Sequence, residues 1–348
     1  MRNSAVSLLI PGLFEAFDGI DPSLFPEMPS VTRLVSRAKR SSLPTLPNPE
    51  SRLLDLLCPD CQLSKELPTA ALRWRHDFAE PPMTPVICAD PVYLRADQTE
   101  LRLFADETFR FDRDMADELV TKLNELYAED PLTFVVAAPD RWYICLQQAA
   151  EIATQPLSAV LGQNVSDYLP QGKDARYWRG LFNEIQMFLN TELSMRSGSH
   201  TLPNSLWFHG MGTLPAVPTK APRDFRLLSN QSFAQGVACW LSMPIEALPD
   251  TADSLVQGDG VQGDGQSIYI VLDQLAAPVA YGDFTAWGQQ LEILEKNWIA
   301  PLLKQLKKRR IRQLNLYTNR HEKNTLTTYN IMNIFSRKTP FHQLCRAL

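Results

Sequence analysis

Short apolar runs separated by amphipathic stretches make up the pattern of this chain. The apolar runs predict strands at 6–10, 85–88, 101–104, 132–137, 142–146, 206–208, 226–229, 267–272 and 311–317. Apolar residues spaced three and four apart predict helices over 114–128, 174–194 and 284–308, with a kink or restart of the last helix at Pro301. This alternation predicts an α/β fold, in which a central mixed or parallel sheet is covered by helices on both faces.

Composition and charge narrow the class of protein. The 348 residues allow one large domain or two, and a net charge of −5 argues against a surface that coats nucleic acid. No run approaches the roughly 20 apolar residues that span a bilayer, and 6–10 is too short for a secretory signal. The dispersed cysteines are typical of reduced, buried thiols. We therefore expect a cytoplasmic protein without a membrane partner.

Three local motifs leave alternatives open. Cys58 and Cys61 form a C-x-x-C, which suits a redox pair, half of a zinc site, or a coincidence at a helix end. The QGDG duplication at 257–265 favours a surface loop over a calcium site. The basic run KQLKKRRIRQL at 304–314 suits a solvated helix end or a patch for an acidic partner or nucleic acid. It contains no aromatic residue for base stacking, which argues against nucleic acid.

Two denser segments offer candidate ligand-binding residues. In 88–104, Asp90, Arg95 and Asp97 bracket an extended segment, where they could orient a substrate or form an ion-paired turn. In NSLWFHGMGTLP, residues 204–215, a strand ends in Gly210-x-Gly212. Glycines there let backbone N–H groups approach an anion, but a tight turn at a sheet edge explains them equally well.

The segments LLIPGL, MPSVTRLVSRA, ADPVYLRAD, NSLWFHGMGTLP and LLSNQSFAQGVACW carry a family resemblance over most of the chain. The chain resembles the bacterial regulatory proteins of RpfE type, which are grouped with the cofactor-independent phosphoglycerate mutases. Those mutases carry a pattern like N-x-[IL]-W-x-x-G-x-G-x-x-P, matched here by Asn204, Trp207, Gly210, Gly212 and Pro215, and a helix glycine matched by Gly236. The resemblance implies an alkaline-phosphatase-like fold. Residues 1–87 and 201–348 would build its core, and 88–200 an inserted cap or subdomain.

This chain differs from the mutases at the positions of their catalytic residues. In the enzymes the first strand ends in an Asp-Gly that binds a divalent metal, whereas Pro11-Gly12 stands here. No D-x-x-x-H-x-x-x-H occurs, His321 and His342 lack a D-x-x-G-H context, and no serine or threonine stands out as a nucleophile. The resemblance therefore implies a non-catalytic regulatory protein without a cofactor, which binds a protein partner or a phosphorylated metabolite. The candidate ligand-binding residues are Asp90, Arg95, Asp97, Asn204, Trp207, His209, Gly210 and Gly212.

Two alternatives remain. The first is a metal-dependent phosphoryl-transfer enzyme, a phosphoglycerate-mutase-like isomerase using manganese or zinc, with ligands drawn from Asp90, Asp97, Asp140, His200, His209 and Asp273. The second is a nucleic-acid-associated regulator that uses 304–314.

Overall fold

The structure is a computed structural model that describes residues 5–59, 61, 66–96, 100–105, 112–194, 202–218, 225–257, 267–332 and 339–346. The chain divides into two compact units: unit 1 is Met1–Pro59 with Thr219–Leu348, and unit 2 is Asp60–Pro218. The sequence placed these divisions at 87/88 and 200/201 instead. They differ because the strands Val86–Ala96 and Ser205–Gly212, which lie near or across the expected boundaries, pair with each other inside unit 2.

The elements are numbered along the chain. The strands are β1 (Ala5–Leu9), β2 (Lys39–Ser42), β3 (Val86–Ala96), β4 (Leu101–Phe104), β5 (Leu132–Ala138), β6 (Arg141–Leu146), β7 (Ile152–Ala153), β8 (Gln171–Gly172), β9 (Ser205–Gly212), β10 (Phe225–Leu228), β11 (Ile245–Glu246), β12 (Ser267–Val271), β13 (Gln313–Tyr317) and β14 (Glu322–Thr327). The α-helices are α1 (Pro29–Arg37), α2 (Pro49–Leu57), α3 (Thr69–Asp77), α4 (Arg113–Leu126), α5 (Leu157–Val160), α6 (Ala175–Ser194), α7 (Ser232–Trp240), α8 (Ser254–Gln257), α9 (Ala276–Ala280), α10 (Phe284–Leu294), α11 (Ala300–Lys307) and α12 (Phe341–Arg346).

Unit 1 is built on a mixed sheet with the strand order β11-β10-β12-β1-β13-β14-β2. The first five strands run parallel, while β14 is antiparallel to both β13 and β2. Strand β1 lies between β12 and β13, with Val6 opposite Ile268 on one side and Leu314 on the other. The mixed sheet confirms the α/β fold class predicted from the sequence.

Helices cover this sheet on both faces. Val6 and Leu8 of β1, and Ile10 directly after it, belong to one apolar cluster with α1, α10 and α11. Helix α7 contacts β10, β11 and α2, and its buried residues lie outside that cluster. Since successive side chains of a strand point to opposite faces, α2 and α7 cover the face opposite α1.

The predicted helix over 284–308 is continuous but passes through one π-helical turn, Glu295–Ile299, between α10 and α11. Pro301 has no N–H to donate to the carbonyl of Asn297 four residues earlier. That carbonyl accepts a hydrogen bond from Ala252 N at 2.9 Å instead. The Glu295 carboxylate accepts from Ser30 N at 2.7 Å and Val31 N at 3.2 Å. The predicted kink is thus a π turn, and Glu295 caps the first turn of α1.

Unit 2 contains an antiparallel sheet in the order β4-β3-β6-β5, with β9 also paired to β3. One face packs on α4 and α6 in a second apolar cluster. The free edge of strand β5 is capped at Phe134. There the Asn124 side chain accepts from the N–H at 2.8 Å and donates to the carbonyl at 3.0 Å. Such capping of a free strand edge hinders pairing with another chain.

The elements that the sequence predicted are present, with β3 and β9 longer than expected. The sequence did not predict β2, whose residues Lys39–Ser42 are all exposed, nor did it predict β14 and the short strands β7, β8 and β11. Cys88, Cys145, Cys239 and Cys345 are thiols, as predicted. The same prediction is wrong for Cys58 and Cys61, which are disulfide-bonded in the turn that follows α2. No helix in the described ranges is long and apolar enough to cross a membrane.

Candidate functional site

Within the residues that the structure describes, one group of cysteine, histidine and acidic side chains could share a metal ion. It consists of Cys88 and Asp90 on β3 and His209 on β9, whose candidate ligand atoms lie within 4.8 Å of one another. The antiparallel register places His209 opposite Cys88, and Asp90 follows two residues later on the same face. The pairing of β3 with β9 therefore builds the cluster.

Arg73 of α3 holds the carboxylate of this cluster. Its Nη1 donates to Asp90 Oδ2 at 2.6 Å and its Nη2 to Asp90 Oδ1 at 2.8 Å. Nη1 also lies 3.5 Å from Cys88 Sγ. His209 Nε2 lies 2.9 Å from Asp90 Oδ2. Both carboxylate oxygens are thus bonded, one of them twice, in the geometry of a bidentate arginine–carboxylate pair.

The environment of Asp90 favours its ionised form. The residue is 3% exposed, and burial alone raises the pKa of a carboxyl group. The charge of Arg73 and the hydrogen bonds from His209 and Arg73 outweigh burial, so the pKa of Asp90 lies well below its usual range. Asp90 and Arg73 therefore form a buried ion pair throughout the physiological pH range.

His209 is the second titratable partner of Asp90. Burial lowers its pKa, but the interactions with Cys88 and Asp90 outweigh burial and raise the pKa of His209 to about 10. Its Nδ1 is buried and has no hydrogen-bond partner among the described residues. A protonated His209 supplies a positive charge to Asp90 and is not a general base at neutral pH.

The side chains of this cluster can be compared with the ligands that a divalent metal needs. Cys88 Sγ and a ring nitrogen of His209 are suitable ligand atoms. However, a metal requires His209 to lose its proton, and it would lie beside the Arg73 guanidinium in a buried site. In the arrangement seen here the cluster fits a structural charge network better than a metal centre.

Gly210-x-Gly212 of NSLWFHGMGTLP forms the last three residues of strand β9 and not a turn. Gly210 has φ +63°, and a Cβ there would lie 2.5 Å from Thr69 Cβ. A Cβ on Gly212 would lie 2.7 Å from Pro68 Cβ. The Gly210 N–H donates to Thr154 Oγ1 at 3.3 Å. Both glycines therefore allow the start of α3 to approach β9 closely, which accounts for them without a bound anion.

The remaining candidates do not join the cluster. The Asn204 side chain accepts from Leu94 N at 2.7 Å and donates to the Leu94 carbonyl at 2.9 Å. These two bonds continue the pairing of β3 with β9 beyond the first residue of β9. Trp207 Nε1 donates to the carbonyl of Gln155 at 3.0 Å. The Arg95 guanidinium lies 4.4 Å from the ring centroid of Phe104, on the exposed end of β3. Asp97, His200 and residues 258–265 of the QGDG repeat lie outside the described residues.

Sequence reasoning missed Arg73, the residue that determines the charge of the cluster. Arg73 belongs to the stretch TAALRWRHD, which forms α3, and this helix was not predicted. Cys88 was noted only as a buried thiol. A signal for both does exist in hindsight, because a buried aspartate in an apolar strand needs a cationic partner.

Comparisons with known proteins find similar folds but no matching family. No family model matches this chain, and no curated protein matches it. The PH0037 protein from Pyrococcus horikoshii is similar with a TM-score of 0.58 and 10% identity, over 99% of this chain and 92% of that one. The cofactor-independent phosphoglycerate mutase from Thermoplasma acidophilum DSM 1728 has a TM-score of 0.49 and 11% identity, over 100% and 99%. The chain thus shares the fold of the Pyrococcus horikoshii protein over nearly its whole length.

Proposed function

We propose that the chain is a regulatory, ligand-binding protein on a phosphomutase-like scaffold and does not carry out metal-dependent phosphoryl transfer. The observation that carries this proposal is the turn after β1. Residues 10–14 are all buried, and the carbonyl of Gly12 accepts a hydrogen bond from Trp287 Nε1 at 2.8 Å. In the mutases that the chain resembles, the first strand ends in a metal-binding Asp-Gly, whereas Pro11-Gly12 stands at the corresponding position here.

The packing around Gly12 supports an apolar, closed turn. A Cβ on Gly12, which has φ +81°, would lie 3.1 Å from both the Leu275 carbonyl oxygen and Val279 Cγ2. Ile10 and Leu13 belong to the apolar cluster of unit 1. A divalent cation of this enzyme class needs several oxygen or imidazole ligands, which apolar side chains do not supply.

A small cavity beside this turn supports ligand binding. It has a volume of about 130 Å³ and is lined by Leu9, Arg52, Thr318 and Asn319, among others. That is roughly the volume of four water molecules in the liquid. It lies at the carboxyl ends of β1 and β13, where the chain crosses from one side of β1 to the other. In open α/β sheets, ligands bind at such a switch point.

Arg52 indicates the charge of the ligand. Its side chain is 5% exposed and donates from Nη1 to Asp55 Oδ2 at 3.3 Å and from Nη2 to the Pro44 carbonyl at 2.5 Å. A guanidinium has five N–H donors, so donors remain for a ligand. An anionic group such as a phosphate is the natural partner, and a metal cation is disfavoured.

The test combines metal content, turnover and phosphate binding. The purified protein is incubated with manganese, zinc or magnesium, analysed by mass spectrometry after gel filtration, and assayed for phosphatase and phosphoglycerate mutase turnover. Inorganic phosphate is then titrated while the Tm is followed. We expect no metal-dependent turnover and a Tm that rises with phosphate. Metal-dependent turnover above that of a heat-denatured sample would overturn the proposal.

Matched variants locate the phosphate effect. Arg52→Gln should remove the phosphate-induced rise in Tm, whatever its own Tm. Arg179→Gln alters an arginine of unit 2 that bonds the Pro170 carbonyl at 2.9 Å, and it should keep the rise. An equal rise in both variants would show that phosphate acts elsewhere.

A second candidate function is favoured by the cluster in unit 2. Cys88, Asp90 and His209 bring three candidate ligand atoms within 4.8 Å of one another, and three is the number of protein ligands in a catalytic zinc site. Stoichiometric zinc that is lost in Cys88→Ser and retained in Cys145→Ser would establish this function in place of the first.

A further inference from the structure

Unit 1 carries a cluster of cationic side chains, although the chain as a whole has a net negative charge. It comprises Arg33 and Arg37 of α1 and Lys304, Lys307, Lys308, Arg309 and Arg310 at the end of α11, and we name it the basic patch. The chain has 39 acidic and 34 basic residues, so acids are not scarce. Yet among the ion pairs formed between described residues, none includes a member of this patch.

The fold brings the two groups of cations together. Helices α1 and α11 are in contact, and the pKa of Lys307 is lowered by burial and then by the charges of Arg33 and Arg37. The nearby acids have other partners, since Glu295 caps α1 and Asp253 Oδ1 lies 3.4 Å from Gln305 Nε2. The patch therefore contains mutual repulsion that a polyanion would relieve.

The structure also adds an aromatic side chain that the sequence of the basic run lacks. Tyr329 is 88% exposed. The residue before it, Thr328, donates from its N–H to the Arg312 carbonyl at 3.2 Å. Two residues after it, the Ile331 carbonyl accepts a hydrogen bond from Arg37 Nη1. The turn Asn330–Met332 contacts both α1 and α11, so the Tyr329 backbone is fixed beside the basic patch.

Cations beside an exposed aromatic ring match the chemistry of an unpaired nucleic-acid strand. The phosphates pair with lysine and arginine, and a base stacks on the aromatic ring. A duplex keeps its bases stacked on one another, while anionic lipids and acidic polypeptides offer charge without a planar base. We propose that the basic patch and Tyr329 form a binding site for a single-stranded nucleic acid.

The test measures binding of a fluorescein-labelled oligothymidylate and oligouridylate, each of about 12 nucleotides, by fluorescence anisotropy. The full chain is titrated at several sodium chloride concentrations. Each phosphate contact on a single strand contributes about −0.7 to the slope of log Kobs against log salt, so we expect a slope of about −2 or steeper. Duplex DNA, phosphatidylserine vesicles and polyglutamate are the comparison ligands.

Three variants separate stacking from charge. Tyr329→Ala should weaken binding of the single strand by about 5-fold to 150-fold with an unchanged salt slope, and Tyr329→Phe should bind like the parent chain. The pair Lys308→Ala/Arg310→Ala should reduce the slope by about 1.4. Tyr177→Ala and Lys173→Ala, exposed residues of unit 2, are the matched controls and should change neither quantity.

Each outcome decides the proposal. Single-strand binding that depends on Tyr329 and on the patch supports it, and it does so whether or not unit 1 binds phosphate. No binding at low salt overturns it, as does binding that Tyr329→Ala leaves unchanged. Tighter binding to duplex DNA, vesicles or polyglutamate overturns it in favour of that partner.

Discussion

Asp90 Oδ2 is shared by two donors, Arg73 Nη1 at 2.6 Å and His209 Nε2 at 2.9 Å. The three side chains come from α3, β3 and β9, and each is at most 5% exposed. A single carboxylate oxygen thus connects three elements of unit 2 inside its interior. Because a buried charge tolerates few alternative partners, this contact fixes how α3 lies on the sheet.

Removing one member of the ion pair should be far worse than removing both. Arg73→Met leaves the Asp90 charge buried without its main partner, and we expect it to lower the free energy of unfolding by about 3–5 kcal/mol. The double variant Arg73→Met/Asp90→Leu should recover most of that loss, because it removes the ion pair from the interior and, with Asp90 gone, lets His209 be neutral. Urea unfolding followed by tryptophan fluorescence measures both. Equal destabilisation of the two variants would mean that packing, and not charge, holds α3.

The stability of unit 2 should depend on pH through His209. A folded pKa of about 10 against an unfolded value of 6.5 means that its contribution is complete below pH 6.5 and disappears as pH rises through 10. Relative to His209→Gln, the parent chain should lose about 1–3 kcal/mol between about pH 7 and pH 9. The lowered pKa of Asp90 acts on the acid side, where its contribution is lost as pH falls below 3.8.

The protonation of His209 can also be read directly. Its imidazole carbon chemical shift, followed by NMR, should show no titration between about pH 6 and pH 8. A midpoint near the ordinary value of 6.5 would show that His209 is neutral in the cluster.

Substitution by alanine should change the free energy of unfolding in opposite directions at Gly210 of β9 and at Gly180 of α6. Gly210→Ala combines a positive φ with a Cβ 2.5 Å from Thr69 Cβ, and it should cost about 2–4 kcal/mol. Gly180→Ala, on α6 with no atom within 4 Å of the new Cβ, should stabilise by about 0.5–1 kcal/mol. Denaturant midpoints compare them. A neutral Gly210→Ala would leave an anion cradle as the better explanation of the motif.

Glu295 should stabilise α1 from 265 residues away in the sequence. Met28 at the start of α1 makes no side-chain capping bond, so the Glu295 carboxylate is the cap of Ser30 N and Val31 N. Glu295→Ala should cost about 1–2 kcal/mol in thermal unfolding. Glu292→Ala, an exposed glutamate one turn earlier, is the control and should stay within about 0.5 kcal/mol of the parent chain.

The sequence predicted the elements that carry a clear hydrophobic period. Strands such as β5 and β12 are apolar runs whose buried positions alternate with more exposed ones, and α6 has a wide apolar face, so each was found to within a few positions. Strand β2 was missed because Lys39–Ser42 is exposed on both faces and has no apolar position. Its strand conformation comes from pairing with β14, about 280 residues later.

The candidate site was predicted in part. Asp90 and His209 were both named, but as members of separate motifs, because nothing in the sequence reveals that β3 and β9 are paired. One of the two interpretations of this segment was an ion-paired turn with Arg95, yet the partner of Asp90 is Arg73, seventeen residues away on α3. Proximity across a sheet or between a helix and a sheet is set by tertiary packing, which local patterns do not encode.

The central place of β1 has a consequence for synthesis on the ribosome. Strand β1 is translated before its neighbours β12 and β13, which follow only after roughly 260 to 300 further residues. At about 5–20 residues per second, β1 waits about 15–60 s for both partners. During this time its apolar side chains, Val6, Leu8 and Leu9, have no sheet to join, while the continuous segment of unit 2 has already been made. The apolar segment that forms β1 therefore stays without its place in the sheet of unit 1 until both β12 and β13 have been made.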